Sequence, residues 1–187
     1  MFLFNPVARK WDAWIDAPFE YHSSQLEYLP DTKSLWLSSG GPYLIDATNK
    51  SDWKRMKTIG TGPADKTLTA YDQESKTIVA IKEKNTYTYS FKTNQWNLVQ
   101  NGTSPMAFVP QSTFCYDSFS KKFILITLEE EQLLWTYDLQ KNEWVNPKPL
   151  GDIPNSINLA CYYDKARNVT VLYTEIIEER LRKGRVF

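Results

Sequence analysis

The chain lacks an excess of charge of either sign, a long apolar run and more than one histidine. Its 22 Lys plus Arg residues balance 22 Asp plus Glu residues, so the formal net charge is zero. Binding to nucleic acid or to an anionic membrane depends on an excess of basic side chains, so neither partner is expected. No apolar stretch approaches the roughly 20 residues of a membrane-spanning helix, and residues 1–10 do not resemble a signal peptide. We therefore expect a cytoplasmic protein if the chain is complete at its start, with a secreted protein as the alternative.

Side chains that bind metals or act as nucleophiles are scarce as well. Copper sites and three-histidine zinc sites require more imidazoles than the single His22 provides. Two cysteines, Cys115 and Cys161, are too few for a disulfide framework, and we expect both to be buried thiols. The segment Gly60-Thr61-Gly62 continues into proline, not into the helix that a phosphate-binding loop requires. The sequence thus predicts no metal, no cofactor and no catalytic residue.

Aromatic residues are abundant, and some of them recur at a regular interval. The chain contains seven Trp, eleven Tyr and nine Phe, which favour strands over helices. Four tryptophans lie 42, 43 and 48 residues apart: Trp11, Trp53, Trp96 and Trp144. An aspartate follows each of them after 19 to 21 residues: Asp31, Asp72, Asp117 and Asp164. We interpret the tryptophans as spacers between neighbouring sheets and the aspartates as turn formers, with ligand stacking and catalysis as the respective alternatives.

The two series mark a repeating unit of four short strands, which we name a, b, c and d. In the last full unit, strand c covers 134–137, strand d begins at 144, strand a covers 158–163 and strand b covers 169–172. Strand c starts near residues 2, 43, 87 and 134, and alternating side chains followed by turn residues indicate hairpins. Four strands per unit and a period near 45 are typical of a β-propeller. The sequence predicts an all-β fold of four repeats of four-stranded antiparallel blades, in a single domain over 1–187.

The repeat resembles the kelch family, in the form found among bacterial and galactose-oxidase-like propellers. The resemblance is carried by LWTYDLQKNEW at 134–144, by CYYDKARNVTVLY at 161–173 and by the matching residues of 114–126. The family usually has two glycines after strand b, and this chain keeps them once, at Gly40-Gly41. Other residues take their place in the remaining repeats: Lys82-Glu83, Leu128-Glu129 and Thr174-Glu175. The resemblance implies a diverged kelch propeller whose later units leave strand b without the conformational freedom of glycine.

In such a blade, the d-to-a and b-to-c connections emerge on one face, which we call the loop face. It carries aromatic and apolar residues beside carboxylates: Trp14, Phe19, Tyr21, His22, Met106, Phe108, Glu129, Glu130 and Glu131. Aromatic anchors on loops suit a protein or peptide partner, so we expect a non-catalytic interaction module. The alternative is a carbohydrate-binding propeller or a glycan-active enzyme, since paired carboxylates can cleave glycosidic bonds.

The order of the strands raises the question of ring closure. The chain begins in strand c, so its first c and d strands could complete a sheet with its last a and b strands and close four blades. Residues 175–187, however, resemble a tail or the start of a further blade, with a short helix over 175–183 as the minor alternative. We expect a partial ring whose missing blades come from further sequence or from another chain, because open sheet edges invite association.

Overall fold

The computed structural model describes residues 2–5, 7–13, 25–37, 42–48, 52–63, 66–105, 107, 112–127, 133–148, 157–178 and 181–186. Seventeen β-strands account for the regular secondary structure of this part of the chain, in agreement with the predicted all-β class. None of the described segments contains a helix with the length and apolar character needed to cross a membrane.

The strands form five antiparallel sheets, and within each sheet neighbouring strands follow one another in the sequence. Sheet 1 consists of β1 (Phe2–Asn5) and β2 (Lys10–Ala13). Sheet 2 consists of β3 (Leu26–Leu29), β4 (Ser34–Leu37), β5 (Tyr43–Asp46) and β6 (Lys54–Arg55). Sheet 3 consists of β7 (Leu68–Asp72), β8 (Thr77–Lys82), β9 (Asn85–Ser90) and β10 (Gln95–Gln100). Sheet 4 consists of β11 (Ser112–Asp117), β12 (Lys122–Thr127), β13 (Leu133–Asp138) and β14 (Glu143–Val145). Sheet 5 consists of β15 (Ile157–Asp164), β16 (Val169–Glu178) and β17 (Leu181–Val186).

Sheets 2, 3 and 4 each contain the predicted strands a, b, c and d in that order. Within the described residues, sheet 1 supplies strands c and d, and sheet 5 supplies strands a, b and c. The c strands begin at Phe2, Tyr43, Asn85, Leu133 and Leu181. The repeat phase read from the tryptophans therefore coincides with the hydrogen-bonded sheets.

The structure of sheet 5 contradicts two alternatives that the sequence left open, namely a short helix over 175–183 and the closure of four blades. Strand β16 continues through Glu178 and pairs with β17, so the short helix over 175–183 is wrong. The β-branched run Val169-Thr170-Val171 begins a long strand whose continuation forms a hairpin rather than a helical turn. Both edges of β16 are occupied, by β15 and β17, and closure of four blades by pairing β16 with β1 does not occur.

The tight turns share one backbone conformation although their sequences differ. The last residue of each four-residue a-to-b turn has a positive φ between 50° and 58°, namely Lys33, Lys76, Lys121 and Asn168. In sheets 1, 3 and 4, the last residue of the c-to-d turn also has a positive φ, between 52° and 56°. These residues are Arg9, Asn94 and Asn142. At the b-to-c turn of sheet 3, Glu83 takes a φ of 53° where a kelch repeat has glycine. The chain thus makes these turns at a cost of roughly 1 kcal/mol per non-glycine residue.

Three of the four recurrent aspartates hold an a-to-b turn through the backbone. Asp72 Oδ1, Asp117 Oδ1 and Asp164 Oδ1 each accept a hydrogen bond of 2.9 Å from the backbone N–H two residues later. Asp31 does not occupy the equivalent position. The last pair before the a-to-b turn is Asp72 with Thr77 in sheet 3, and it is Leu29 with Ser34 in sheet 2. Asp31 therefore lies inside the turn, two residues past the equivalent position.

The recurrent tryptophan of sheet 3 lies between two sheets. Trp96 is 4% exposed and packs against Trp36 of sheet 2, with 6.1 Å between the ring centroids. Tyr89 of its own strand pair completes the aromatic cluster at 5.0 Å. Gly62 provides the room, because a Cβ there would lie 2.6 Å from Cε2 of the indole. Gly62, which the sequence analysis considered as part of a phosphate-binding loop, thus allows the chain to pack closely against the buried indole of Trp96.

The other recurrent tryptophans are less buried. Trp144 is half-buried against Phe114 and Tyr137, and its Nε1–H donates to Thr86 Oγ1 of sheet 3 at 3.0 Å. Trp53 is also half-buried. Trp11, however, is 67% exposed, so the expected spacer position does not bury it in this structure.

The two cysteines form a disulfide bond, and the expectation of buried thiols is wrong. Cys115 lies on β11 and Cys161 on β15, with 5.9 Å between their Cα atoms. These strands belong to different sheets, and the residues are 46 positions apart. Their proximity arises from the face-to-face packing of sheets 4 and 5, which the spacing of the cysteines along the chain does not reveal.

Candidate functional site

The first strands of four successive sheets line a cavity that is open to solvent on one side. Strands β3, β7, β11 and β15 lie next to one another in this order, and the space in front of them measures about 980 Å³. Its polar and aromatic lining comes from these strands and the turns that follow them: Gln25, Glu27, Tyr28, Asp31, Tyr71, Asp72, Gln73, Glu74, Lys76, Tyr116, Ser118, Tyr162, Tyr163 and Lys165. We call this space the strand-a cavity.

Tyrosines from all four strands contribute to its wall. Tyr28 and Tyr162, on the first and last of the four strands, are 53% and 55% exposed. Burial, with the nearby Asp31 and Asp72 carboxylates, raises the pKa of Tyr71 to about 12. Burial, and next the charge of Asp72, also raises the pKa of Tyr116. The phenols of Tyr71 and Tyr116 therefore stay protonated near neutral pH. The tyrosine rings present flat apolar faces with hydroxyl groups at their ends.

A polar contact joins sheets 2 and 3 at the wall of the cavity. The backbone N–H of Thr69 donates to Gln25 Oε1 at 2.5 Å, and the Thr69 hydroxyl donates to Glu27 Oε1 at 2.8 Å. Desolvation by the cavity wall raises the pKa of Glu27 to about 8, against the smaller opposing effect of the Thr69 hydrogen bond. Glu27 is consequently mostly a neutral carboxylic acid at pH 7, able to donate as well as accept a hydrogen bond.

This raised pKa predicts a specific pH dependence of stability. Glu27 titrates near 4.5 when the chain is unfolded and near 8 when it is folded, so the folded state retains the proton more tightly. The contribution of the protonated Glu27 side chain to the free energy of unfolding is complete below pH 4.5. This contribution is lost as the pH rises through 8. Glu27→Gln removes this titration, and the free energy of unfolding of the variant relative to the parent should increase by about 5 kcal/mol across the window.

Urea unfolding of both chains at several pH values measures this difference. Glu74→Gln is the matched control, because Glu74 lines the same cavity but is largely exposed and paired with Lys121. Parallel profiles for the parent and Glu27→Gln would contradict the assignment of a neutral Glu27.

Carboxylates outnumber amines in the cavity. Asp31 accepts from Gln73 Nε2 at 2.9 Å and lies 3.7 Å from Lys76 Nζ, and Glu74 lies 2.9 Å from Lys121 Nζ. Asp72 adds a third carboxylate, against the two lysines Lys76 and Lys165 of the lining, whereas Glu27 is mostly neutral at pH 7. The described residues contain no group of three or more His, Cys, Asp or Glu side chains arranged to hold a metal ion. The lining suits an uncharged or cationic ligand better than an anion.

The residues that the sequence assigned to partner binding lie outside the part of the chain that the structure describes. They are Trp14, Phe19, Tyr21, His22, Met106, Phe108, Glu129, Glu130 and Glu131. The strand-a cavity, by contrast, extends to the a-to-b turns, at the opposite ends of the strands from the loop face. Its sequence signal is the repeated Tyr-Asp pair at 71–72, 116–117 and 163–164, at the ends of three of the four strands.

Comparisons with known proteins show a likeness of fold. No family model and no curated protein matches the sequence. Among solved structures, an auxiliary nutrient binding protein from Bacteroides thetaiotaomicron superimposes with a TM-score of 0.54 at 11% identity, over 86% of this chain and 40% of that one. The structure of YjhT gives 0.62 at 10% identity, over 95% and 70%, and U3-55K gives 0.54 at 9%, over 90% and 53%. The chain thus spans 40% to 70% of these three structures, and its repeated β-sheet architecture is shared with them.

Proposed function

We propose that this chain is a segment of a kelch-like β-propeller that binds a ligand without transforming it. The proposal is supported by the series of four-stranded sheets whose first strands face a common cavity. In a propeller, the innermost strand of each blade lines the central axis in this way. The kelch resemblance of the repeat, with its Tyr-Asp pairs and recurrent Trp, agrees with that arrangement.

We further propose that the ligand is an uncharged carbohydrate bound in the strand-a cavity. The observation that carries this proposal is the combination, in one concave space, of exposed tyrosine faces with carboxyl and amide groups. Tyr28 and Tyr162 provide apolar faces on which the C–H groups of a sugar ring can stack. Glu27, Gln25 and Asp72 provide acceptors and donors for its hydroxyl groups. Protein or peptide recognition by the loop face, expected from the sequence, is the competing proposal.

Binding to immobilised glycans, followed by calorimetry with each positive glycan, tests the carbohydrate proposal. Tyr28→Ala should weaken binding about fivefold to thirtyfold, because it removes an aromatic face of the cavity worth roughly 1 to 2 kcal/mol. Phe119→Ala is the matched control, since Phe119 is 73% exposed in the a-to-b turn of sheet 4 and does not line the cavity. Equal affinities of the two variants for a positive glycan would contradict this assignment. The absence of binding to every immobilised glycan would contradict it as well.

The disulfide supports an oxidising compartment for the module. Disulfides persist in secreted and periplasmic proteins, whereas thiol reductants keep most cytoplasmic cysteines reduced. Cys115 and Cys161 are paired and both border the cavity. We therefore favour the secreted alternative over the cytoplasmic one.

A further inference from the structure

Apolar packing joins sheets 2, 3 and 4, whereas the interface of sheets 4 and 5 has a different composition. One buried apolar cluster, which includes Trp36 and Trp96, connects sheets 2 and 3. A second cluster, which includes Ala70 and Phe114, connects sheets 3 and 4. Neither cluster contains a described side chain of sheet 5. The described side chains therefore form a continuous apolar core at two of these three interfaces and not at the third.

The face of sheet 5 that is turned toward sheet 4 is partly polar. Cys161 is bonded to sheet 4, so its cross-strand partner Leu172 lies on this face. Alternation along β16 places Thr170 and Thr174 on the same face. The hydroxyl oxygens of both threonines are buried, and neither has a hydrogen-bond partner among the described residues. Burial of unpaired hydroxyl groups opposes the packing of sheet 5 on sheet 4.

A hydrogen bond and the disulfide connect the inner strands of these two sheets. The backbone N–H of Cys161 donates to Thr113 Oγ1 at 2.9 Å, and the Cys161 side chain is bonded to Cys115. By register, Cys161 takes the position of Thr69 and Cys115 takes the position of Glu27. The disulfide thus replaces the hydrogen bond that joins Thr69 to Glu27 between sheets 2 and 3.

Sheet 5 supplies one wall of the strand-a cavity. Tyr162, Tyr163 and Lys165 line the cavity from β15 and the turn that follows it. Cys115 and Cys161 line the cavity as well, so the disulfide connects this wall to the wall formed by β11. The position of the Tyr162 ring relative to the other three strands therefore depends on a bond that exists only in the oxidised chain.

We propose that oxidation of Cys115 and Cys161 switches on ligand binding by the strand-a cavity, an inference that rests on the proposed function. In the dithiol chain, the interface of sheets 4 and 5 loses its covalent restraint, and the buried threonine hydroxyls favour its opening. The wall that carries Tyr162 then moves away from the cavity. A chain made in a reducing compartment would thus gain binding after it reaches an oxidising one.

The oxidant required is a molecule that carries a disulfide. Cys161 is half-buried, whereas Cys115 is 8% exposed, so the Cys161 thiolate attacks the oxidant first. This attack forms a mixed disulfide and releases one thiol of the oxidant. The Cys115 thiolate then attacks the Cys161 sulfur and displaces the second thiol. The two cysteines lose two electrons and two protons, and the two sulfur atoms of the oxidant receive them.

Hydrogen exchange followed by mass spectrometry tests the opening of the interface. In the reduced chain, peptides of β15 and β16 should take up deuterium about tenfold faster or more than in the oxidised chain during the first minutes. Peptides of β7 and β8 should stay protected over the same period in both forms, because both apolar clusters hold sheet 3. Cys115→Ser/Cys161→Ser should match the reduced chain and should not respond to reductant.

Two results of the exchange experiment would overturn the proposal. One is equal early uptake by β15 and β16 in the oxidised and reduced chains. The other is an early loss of protection in β7 and β8 together with sheet 5, because the reduced chain would then unfold as a whole.

Binding to the immobilised glycans tests the consequence for the ligand. The oxidised chain should bind about fivefold to thirtyfold more tightly than the reduced chain, because the aromatic face of Tyr162 is lost on reduction. Cys115→Ser/Cys161→Ser controls for the reductant, since it should bind weakly with and without it. Equal binding by the oxidised and reduced chains would overturn the switch and leave the carbohydrate proposal intact. The absence of binding by every form would overturn both.

Discussion

Trp96→Ala is expected to lower the free energy of unfolding by about 3 to 5 kcal/mol, the range for deleting a large buried aromatic side chain. The indole is enclosed by Trp36 and Tyr89, and Gly62 lies against its ring. Its loss would leave a cavity at the interface of sheets 2 and 3, which these rigid neighbours can fill only in part. Urea unfolding followed by circular dichroism measures the difference.

Trp11→Ala is the matched control for this prediction. The residue has the same place in the repeat, but it is 67% exposed instead of 4%. We expect Trp11→Ala to lower the free energy of unfolding by less than half as much as Trp96→Ala. The reason is that the exposed indole of Trp11 buries little apolar surface when the chain folds. Similar losses for the two variants would mean that burial between sheets does not determine the contribution of the recurrent tryptophan.

Removing the disulfide should have a comparable effect. Cys115→Ser/Cys161→Ser frees a closed loop with a separation of 46 residues, and the lost restraint on the unfolded chain corresponds to roughly 4 kcal/mol. Unfolding of the parent with and without reductant, beside the double variant, measures this contribution. Reductant should destabilise the parent to about the level of the variant and leave the variant unchanged. Free thiols that react in the folded parent without reductant would contradict the pairing.

The sequence predicted the strands better than it predicted the site. Period-two alternation and turn residues are local properties, so the hairpins of sheets 2 to 5 could be placed from short segments. Asp31 was misplaced because Leu29 occupies the position that the other three aspartates take, in a turn of the same length, and only the strand register reveals this. The cavity and the disulfide depend on how separate sheets face one another. No spacing along the chain encodes that relation directly.

The predicted contact residues of the loop face stay a prediction. Trp14, Phe19 and Phe108 were chosen because aromatics in loops have no evident local function, which is an argument from composition. Tyr71 and Glu27, in contrast, looked like ordinary strand residues, since alternation places half of the side chains of any strand on each face. Their participation in a cavity becomes visible when β3 and β7 lie side by side.

The packing of sheet 3 on both of its faces implies a gradient of local stability along the molecule. Ile78, Val79, Ala80 and Ile81 of β8 are fully buried, because two of them face sheet 2 and two face sheet 4. Opening β8 requires both interfaces to separate, whereas a terminal sheet can detach from a single neighbour. Amide protons of the central sheet should then exchange with solvent near the rate of global unfolding, while the peripheral sheets fluctuate on their own. Opening of the central sheet is thus expected to require more free energy than opening of the sheets that flank it.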